Sequence, residues 1–201
     1  HVDLKPYPFP EGVTIPRLMP AQEFPWNGDG YLAAEVLRLK EAHGLIYAVE
    51  TGTCLGSTAL WLGENFKGVI TFEIHEPYYD IAKARISGTG NIHQVLGSSV
   101  TLPLPTVGAC TLNVTTREDD PLESVFWYPS EDKRYFMFLD AHWQQQCPLL
   151  IELSAIAKGT CNYGRGPDNG YPCKPCILIH DFQVPGTDFG FDKMPDGRPF
   201  N

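Results

Sequence analysis

The ten residues Val49-Glu50-Thr51-Gly52-Thr53-Cys54-Leu55-Gly56-Ser57-Thr58 constrain this chain more than any other segment. Leu45 to Val49 is a short apolar run of the kind found in a parallel strand covered on both faces, and Ser57 to Phe66 has the apolar spacing of a helix. Between them, Gly52 and Gly56 carry no Cβ, so the chain can turn tightly and a ligand can lie against the main chain. Thr53, Ser57 and Thr58 add hydroxyls at the helix start, where unpaired amides collect. A glycine turn between any buried strand and helix would look similar, so the loop needs support from elsewhere.

Val69-Ile70-Thr71-Phe72-Glu73 supplies some of it. This second strand pattern ends in a carboxylate and is followed by a helical pattern from Pro77 to Ile86. An acid about twenty positions beyond a glycine-rich turn suits a ribose, because a carboxylate accepts two hydrogen bonds from a vicinal diol. Glu73 fits that role. The glycines are spaced Gly-x-x-x-Gly, not Gly-x-Gly-x-x-Gly, which argues for a nucleoside with a small charged tail over a pyrophosphate.

Two later strands repeat one design. Tyr135 to Leu139 runs into Asp140-Ala141-His142-Trp143, and Cys176 to Phe182 contains His180-Asp181. In an open α/β sheet such strand ends lie at the ligand-binding rim. Two carboxylates meeting there repel unless a cation sits between them, and Mg²⁺ needs only one or two protein carboxylates besides water and substrate oxygens. Asp140 and Asp181 are therefore metal candidates, with capping of the following segment as the structural alternative. His142 can act as a general base or wall a pocket, and the pocket wall is favoured; His180 reads as a satisfied core histidine. Ile92 to Leu96 reads as a third strand, followed by a small turn at Gly97-Ser98-Ser99.

With the Glu-x-Gly loop, Glu73, Phe138-Leu139-Asp140 before His142-Trp143, and Asp181 before Val184-Pro185-Gly186, the chain resembles the class I S-adenosylmethionine-dependent methyltransferases. The likeness is greatest to the metal-dependent small-molecule O-methyltransferases of the catechol and macrolide-sugar type. The resemblance implies a Rossmann-like, doubly wound, mainly parallel sheet. It also implies a cofactor site of Glu50, Gly52, Thr53, Gly56, Ser57, Thr58, Glu73, Ser98, Asp140, His142 and Trp143. S-adenosylmethionine would be the methyl donor and a small molecule the acceptor. Mg²⁺ or another divalent cation would sit on Asp140 and Asp181, and Asp140 and His142 would carry the chemistry. Phe182 and Gln144 depart from the catechol pattern, which has an Asn or Asp and a lysine there.

Composition sets the outer bounds. A chain of 201 residues with 43% hydrophobic content can bury one full core. Its net charge of -9 and pI near 5.0 disfavour nucleic acid and anionic membranes as partners. No apolar run reaches transmembrane length, and the cytoplasm is the default compartment. Residues 1–26, with six prolines at 6, 8, 10, 16, 20 and 25, are expected as an extended arm, and residues 27–201 as the domain. Asn27 to Gly30 reads as a turn before a helix from Tyr31 to about His43. Two inserts, 103–133 and 159–175, interrupt the α/β pattern. Of the six cysteines, Cys173 and Cys176 form one Cys-x-x-Cys pair, compatible with free thiols, a disulfide or zinc. Only seventeen residues follow Val184, so the sheet is expected to stop at its fifth strand, and that edge invites pairing with a second copy. A reduced dehydrogenase and a non-catalytic module that kept the fold are the rival readings.

Overall fold

The computed structural model describes residues 1–9, 20–99, 134–141, 148–162 and 175–180. Five strands, β1 (Tyr47–Thr51), β2 (Gly68–Glu73), β3 (Ile92–Leu96), β4 (Tyr135–Leu139) and β5 (Cys176–Ile179), pair in the order β3-β2-β1-β4-β5, and every pair is parallel. Parallel neighbours require crossovers, and the helices α1 (Gly30–His43), α2 (Ser57–Asn65), α3 (Glu76–Ile86) and α4 (Leu149–Asn162) divide between the two faces. Side chains alternate along β1. Ala48 belongs to one cluster with Ala33 and Val36 of α1, Ala59 and Leu62 of α2, and Ala82 and Ile86 of α3, whereas Val49 belongs to a second with Leu149 and Ile156 of α4. The sheet is thus doubly wound and Rossmann-like, as expected.

Local signals fix most boundaries. Asp29 caps α1 by accepting the Tyr31 and Leu32 amides at 2.9 and 3.0 Å, and Gly44 ends it in the left-handed region at φ 57°. This ending corrects the expected first strand. The Leu45 amide returns to the Lys40 carbonyl at 2.9 Å and so belongs to the helix terminus, while the strand runs on through Glu50 and Thr51, which pair with Thr71 and Phe72. The expected insert at 159–175 also begins later, because residues 159–162 close α4. The insert at 103–133 lies outside the described residues.

Described residues of the proline-rich segment reach the core. Tyr7 and Trp26 are 8% and 3% exposed within the α1–α2–α3 cluster, and the Trp26 indole meets Trp61 and Phe138 edge-on. Residues 20–28 form two short 3₁₀ turns, with Trp26 and Asn27 both at positive φ. Left-handed backbone at a tryptophan costs on the order of 1–2 kcal/mol, which burial of a large aromatic offsets.

Candidate active site

The chain leaves β1 at the point where strand order reverses. β2 and β3 lie to one side of β1 and β4 to the other, and such a switch point opens a crevice at the strand C-termini. The glycine-rich loop starts there. Gly52, Cys54 and Gly56 all have positive φ, at 84°, 49° and 82°. A Cβ on Gly52 would lie 2.8 Å from the Asp140 carbonyl oxygen, so the loop touches the end of β4 backbone to backbone. The Gly52 and Thr53 amides both donate to the Phe72 carbonyl, at 3.0 and 2.9 Å, and that of Gly56 donates to Thr53 at 2.8 Å.

Glu73 ties the loop to β2. One carboxylate oxygen accepts the Cys54 amide at 2.7 Å and the other accepts the His75 amide at 2.8 Å. Each carboxylate oxygen has capacity for a further hydrogen bond, so the pair can still receive a diol. Ile74, 54% exposed, follows directly, and Leu96 at the end of β3 is also exposed. Sequence alone does not single out these apolar rim residues, since a lone exposed aliphatic side chain is ordinary on any surface. Ser98, one of the expected cofactor residues, is half-buried just beyond Leu96.

Below the loop lies a polar chain. Thr71 donates to Glu50 at 2.5 Å, and the Thr53 and Thr71 hydroxyls are 2.5 Å apart. Glu50 is 1% exposed, and burial pushes its carboxyl up to about 8, with the nearby Asp140 and Glu73 charges acting in the same direction and the Thr71 hydrogen bond opposing. On the opposite face Glu152 of α4, also 1% exposed, bonds to the Ser99 and Thr51 side chains and is likewise raised by burial, with its Oε1 buried and unpartnered. Glu73 shifts upward for the same first reason. Burial and the Glu73 charge push the Cys54 thiol up to about 11, which makes it a poor nucleophile at neutral pH.

These acids predict a pH dependence of known sign. In the unfolded chain Glu50 releases its proton near 4.5, and in the fold near 8, so between those values the native state holds the extra proton. Stability is therefore highest below the unfolded value, falls as pH rises through about 8, and then levels. Urea unfolding at about pH 5 and about pH 8.5 should differ by on the order of 2–4 kcal/mol. Glu50→Gln should remove a large part of that difference, and an unchanged slope would contradict the assignment. Glu73 and Glu152 contribute with the same sign.

Two of the expected cofactor hydroxyls have other work. Ser57 Oγ donates to the Gln22 carbonyl at 2.6 Å, and Thr58 Oγ1 accepts the Trp26 amide at 3.0 Å, so both fasten the N-terminal segment to α2. Each hydroxyl keeps further hydrogen-bonding capacity beyond these bonds. Gly52, Thr53, Gly56, Glu50, Glu73 and Asp140 lie in the loop or at the ends of the strands beside it. His180 is satisfied as expected, with Nδ1 2.9 Å from Asp140 Oδ1 and its ring 5.7 Å from that of Phe138, but is only partly buried. His142, Trp143 and Asp181 lie outside the described residues. Among the described residues no three metal-ligating side chains converge, and the one described metal candidate, Asp140, has an oxygen engaged by His180. Cys54 and Cys176 are free thiols. No described helix is long and apolar enough to cross a membrane.

No protein-family profile matches the chain, and no curated protein matches it. Solved structures do. Phosphoethanolamine N-methyltransferase 1 of Haemonchus contortus aligns at 16% identity and TM-score 0.31, over 47% of this chain and 15% of that one. The 23S rRNA methyltransferase ErmE aligns at 14% and 0.40, over 63% and 41%. The N-terminal domain of EvdMO1, with S-adenosylhomocysteine bound, aligns at 23% and 0.30, over 36% and 34%. This chain spans less than half the length of each.

Proposed function

We propose that this chain binds S-adenosylmethionine and transfers its methyl group to a hydroxyl oxygen of a small molecule. The observation that carries the reading is the Glu73 carboxylate, held against the left-handed loop at the switch point with acceptor capacity for a diol. The ribose hydroxyls would donate to Glu73, the base would lie against Ile74 and Leu96, and the methionyl part would follow the loop over Glu50. Glu73 and Asp140 place carboxylates at this end of the sheet, with the protonated Glu50 behind them. That suits a sulfonium and an ammonium group and repels a pyrophosphate, which separates the reading from a dinucleotide site.

Methyl transfer forms a carbon–oxygen bond, breaks the carbon–sulfur bond and releases the hydroxyl proton. Asp140 and His180, paired at the ends of β4 and β5, are the described groups placed to take that proton. A divalent cation on Asp140 and Asp181 would acidify the hydroxyl. Among the described residues no such site is assembled.

Calorimetric titration with S-adenosylhomocysteine, beside NADH, tests the proposal. Micromolar binding of the first alone is expected. A folded sample that gives no heat with S-adenosylhomocysteine would sink the enzyme reading and favour a binding module that kept the fold.

A further inference from the structure

Arg85, in the last turn of α3, commits its guanidinium to three other segments. Nη1 donates to the Leu55 carbonyl in the glycine-rich loop and, at 3.1 Å, to Ser57 Oγ at the start of α2. Nη2 donates to the Tyr7 carbonyl at 2.5 Å, and the Phe9 ring centroid lies 4.0 Å from the guanidinium carbon. Ser57 Oγ passes the connection on to the Gln22 carbonyl. Among the described residues no carboxylate lies within ion-pair distance of Arg85, and its Nε is buried without an acceptor. Burial pushes its pKa down to about 10.

The nearby Glu23 and Cys54 oppose the effect of burial, but the hydrogen bonds of Arg85 all go to neutral oxygens, which a planar fork lets several acceptors share. The Leu55 carbonyl belongs to the peptide plane that also carries the Gly56 amide. Because that plane is rigid, holding the carbonyl also aims the amide that closes the loop onto Thr53. The same fork holds the main chain of Tyr7, whose ring is buried in the core. The arm and the loop, separated by some fifty residues of chain, therefore share one side chain as their link.

We propose that Arg85 is a positioning residue that couples docking of residues 2–9 to the shape of the glycine-rich loop, so that a ligand on the loop and the docked arm stabilise each other. Such coupling is reciprocal. The ligand half of this inference rests on the cofactor reading; the link between arm and loop does not.

Hydrogen exchange on the full chain tests both halves. Phe9 is only partly buried, so Phe9→Ala should leave the fold intact. Without ligand it should still speed exchange in residues 52–57 severalfold, which a merely local role for Phe9 would not do. Arg85→Ala should speed exchange in both the arm and the loop. Arg85→Lys should restore less than half of the protection, because a single ammonium group lacks the fork. With S-adenosylhomocysteine, residues 2–9 should exchange more slowly in the parent protein but not in Arg85→Ala, whose affinity should fall roughly tenfold. Unchanged loop exchange in Phe9→Ala and Arg85→Ala, or full rescue by lysine, overturns the proposal. If Arg85→Ala does not fold, Phe9→Ala decides alone. If the parent protein binds no S-adenosylhomocysteine, the cofactor reading fails while the ligand-free comparison still decides the link.

Discussion

Gly52→Ala should destabilise the protein by about 2–5 kcal/mol and abolish measurable binding of S-adenosylhomocysteine. Two costs add. Alanine at φ 84° carries a left-handed penalty of about 1–2 kcal/mol. Its Cβ would also lie 2.8 Å from the Asp140 carbonyl oxygen and 3.3 Å from Ala141 Cα, both backbone atoms that no rotamer change can move aside, for a further cost of about 1–3 kcal/mol. For a chain of this size the melting midpoint should drop by roughly 5–15 °C. Gly88→Ala is the control, because nothing lies within 4 Å of the point a Cβ would occupy there and its φ is not in the left-handed range. Equal midpoints for the two variants would refute the close approach of the loop to β4.

Glu73→Ala should separate binding from folding. Truncation leaves the Cys54 and His75 amides without their acceptor, yet it also removes a buried carboxylate whose ionisation burial opposes. These effects partly cancel, so the change in stability should stay within about 1–2 kcal/mol. Ligand binding has no such compensation. Losing two charge-assisted hydrogen bonds to a diol, each of about 1.5–3 kcal/mol, should weaken S-adenosylhomocysteine at least a hundredfold by calorimetry. Glu73→Gln, which keeps one carbonyl acceptor, should fall between. Parent-like affinity in Glu73→Ala would remove Glu73 from the site and with it the observation on which the function is proposed.

What is legible in the sequence is what backbone geometry demands locally. Gly52 and Gly56 advertise left-handed turns, Asp29 and Gly44 mark both ends of α1, and β2, β3 and β4 lie where their apolar runs place them. Glu73 is legible because it closes a strand at a fixed distance from the loop. Long-range partnerships leave no such trace. Arg85 and Tyr7 are 78 positions apart, and His180 and Asp140 are 40 apart, so neither pair has a spacing that could be recognised. Glu152 looks like one more acid on a helix until α4 turns it inward onto Thr51 and Ser99. The bonds from Ser57 and Thr58 to the N-terminal segment are equally untraceable. A hydroxyl at a helix start has the same signature whether its partner is a ligand or another part of the chain.

The contact between Gly52 and the tip of β4 has a mechanical meaning. The Asp140 and Ala141 amides both reach Thr51 Oγ1 at 3.2 Å, and the Asp140 carbonyl occupies the space above Gly52. Main-chain atoms alone make up that junction apart from one threonine hydroxyl. Motion at the end of β4, where an acceptor would be activated, is therefore transmitted to the segment that would cradle the donor without passing through a long side chain. The two halves of the crevice behave as a single hinge plate, and a variant that re-aims one will re-aim the other.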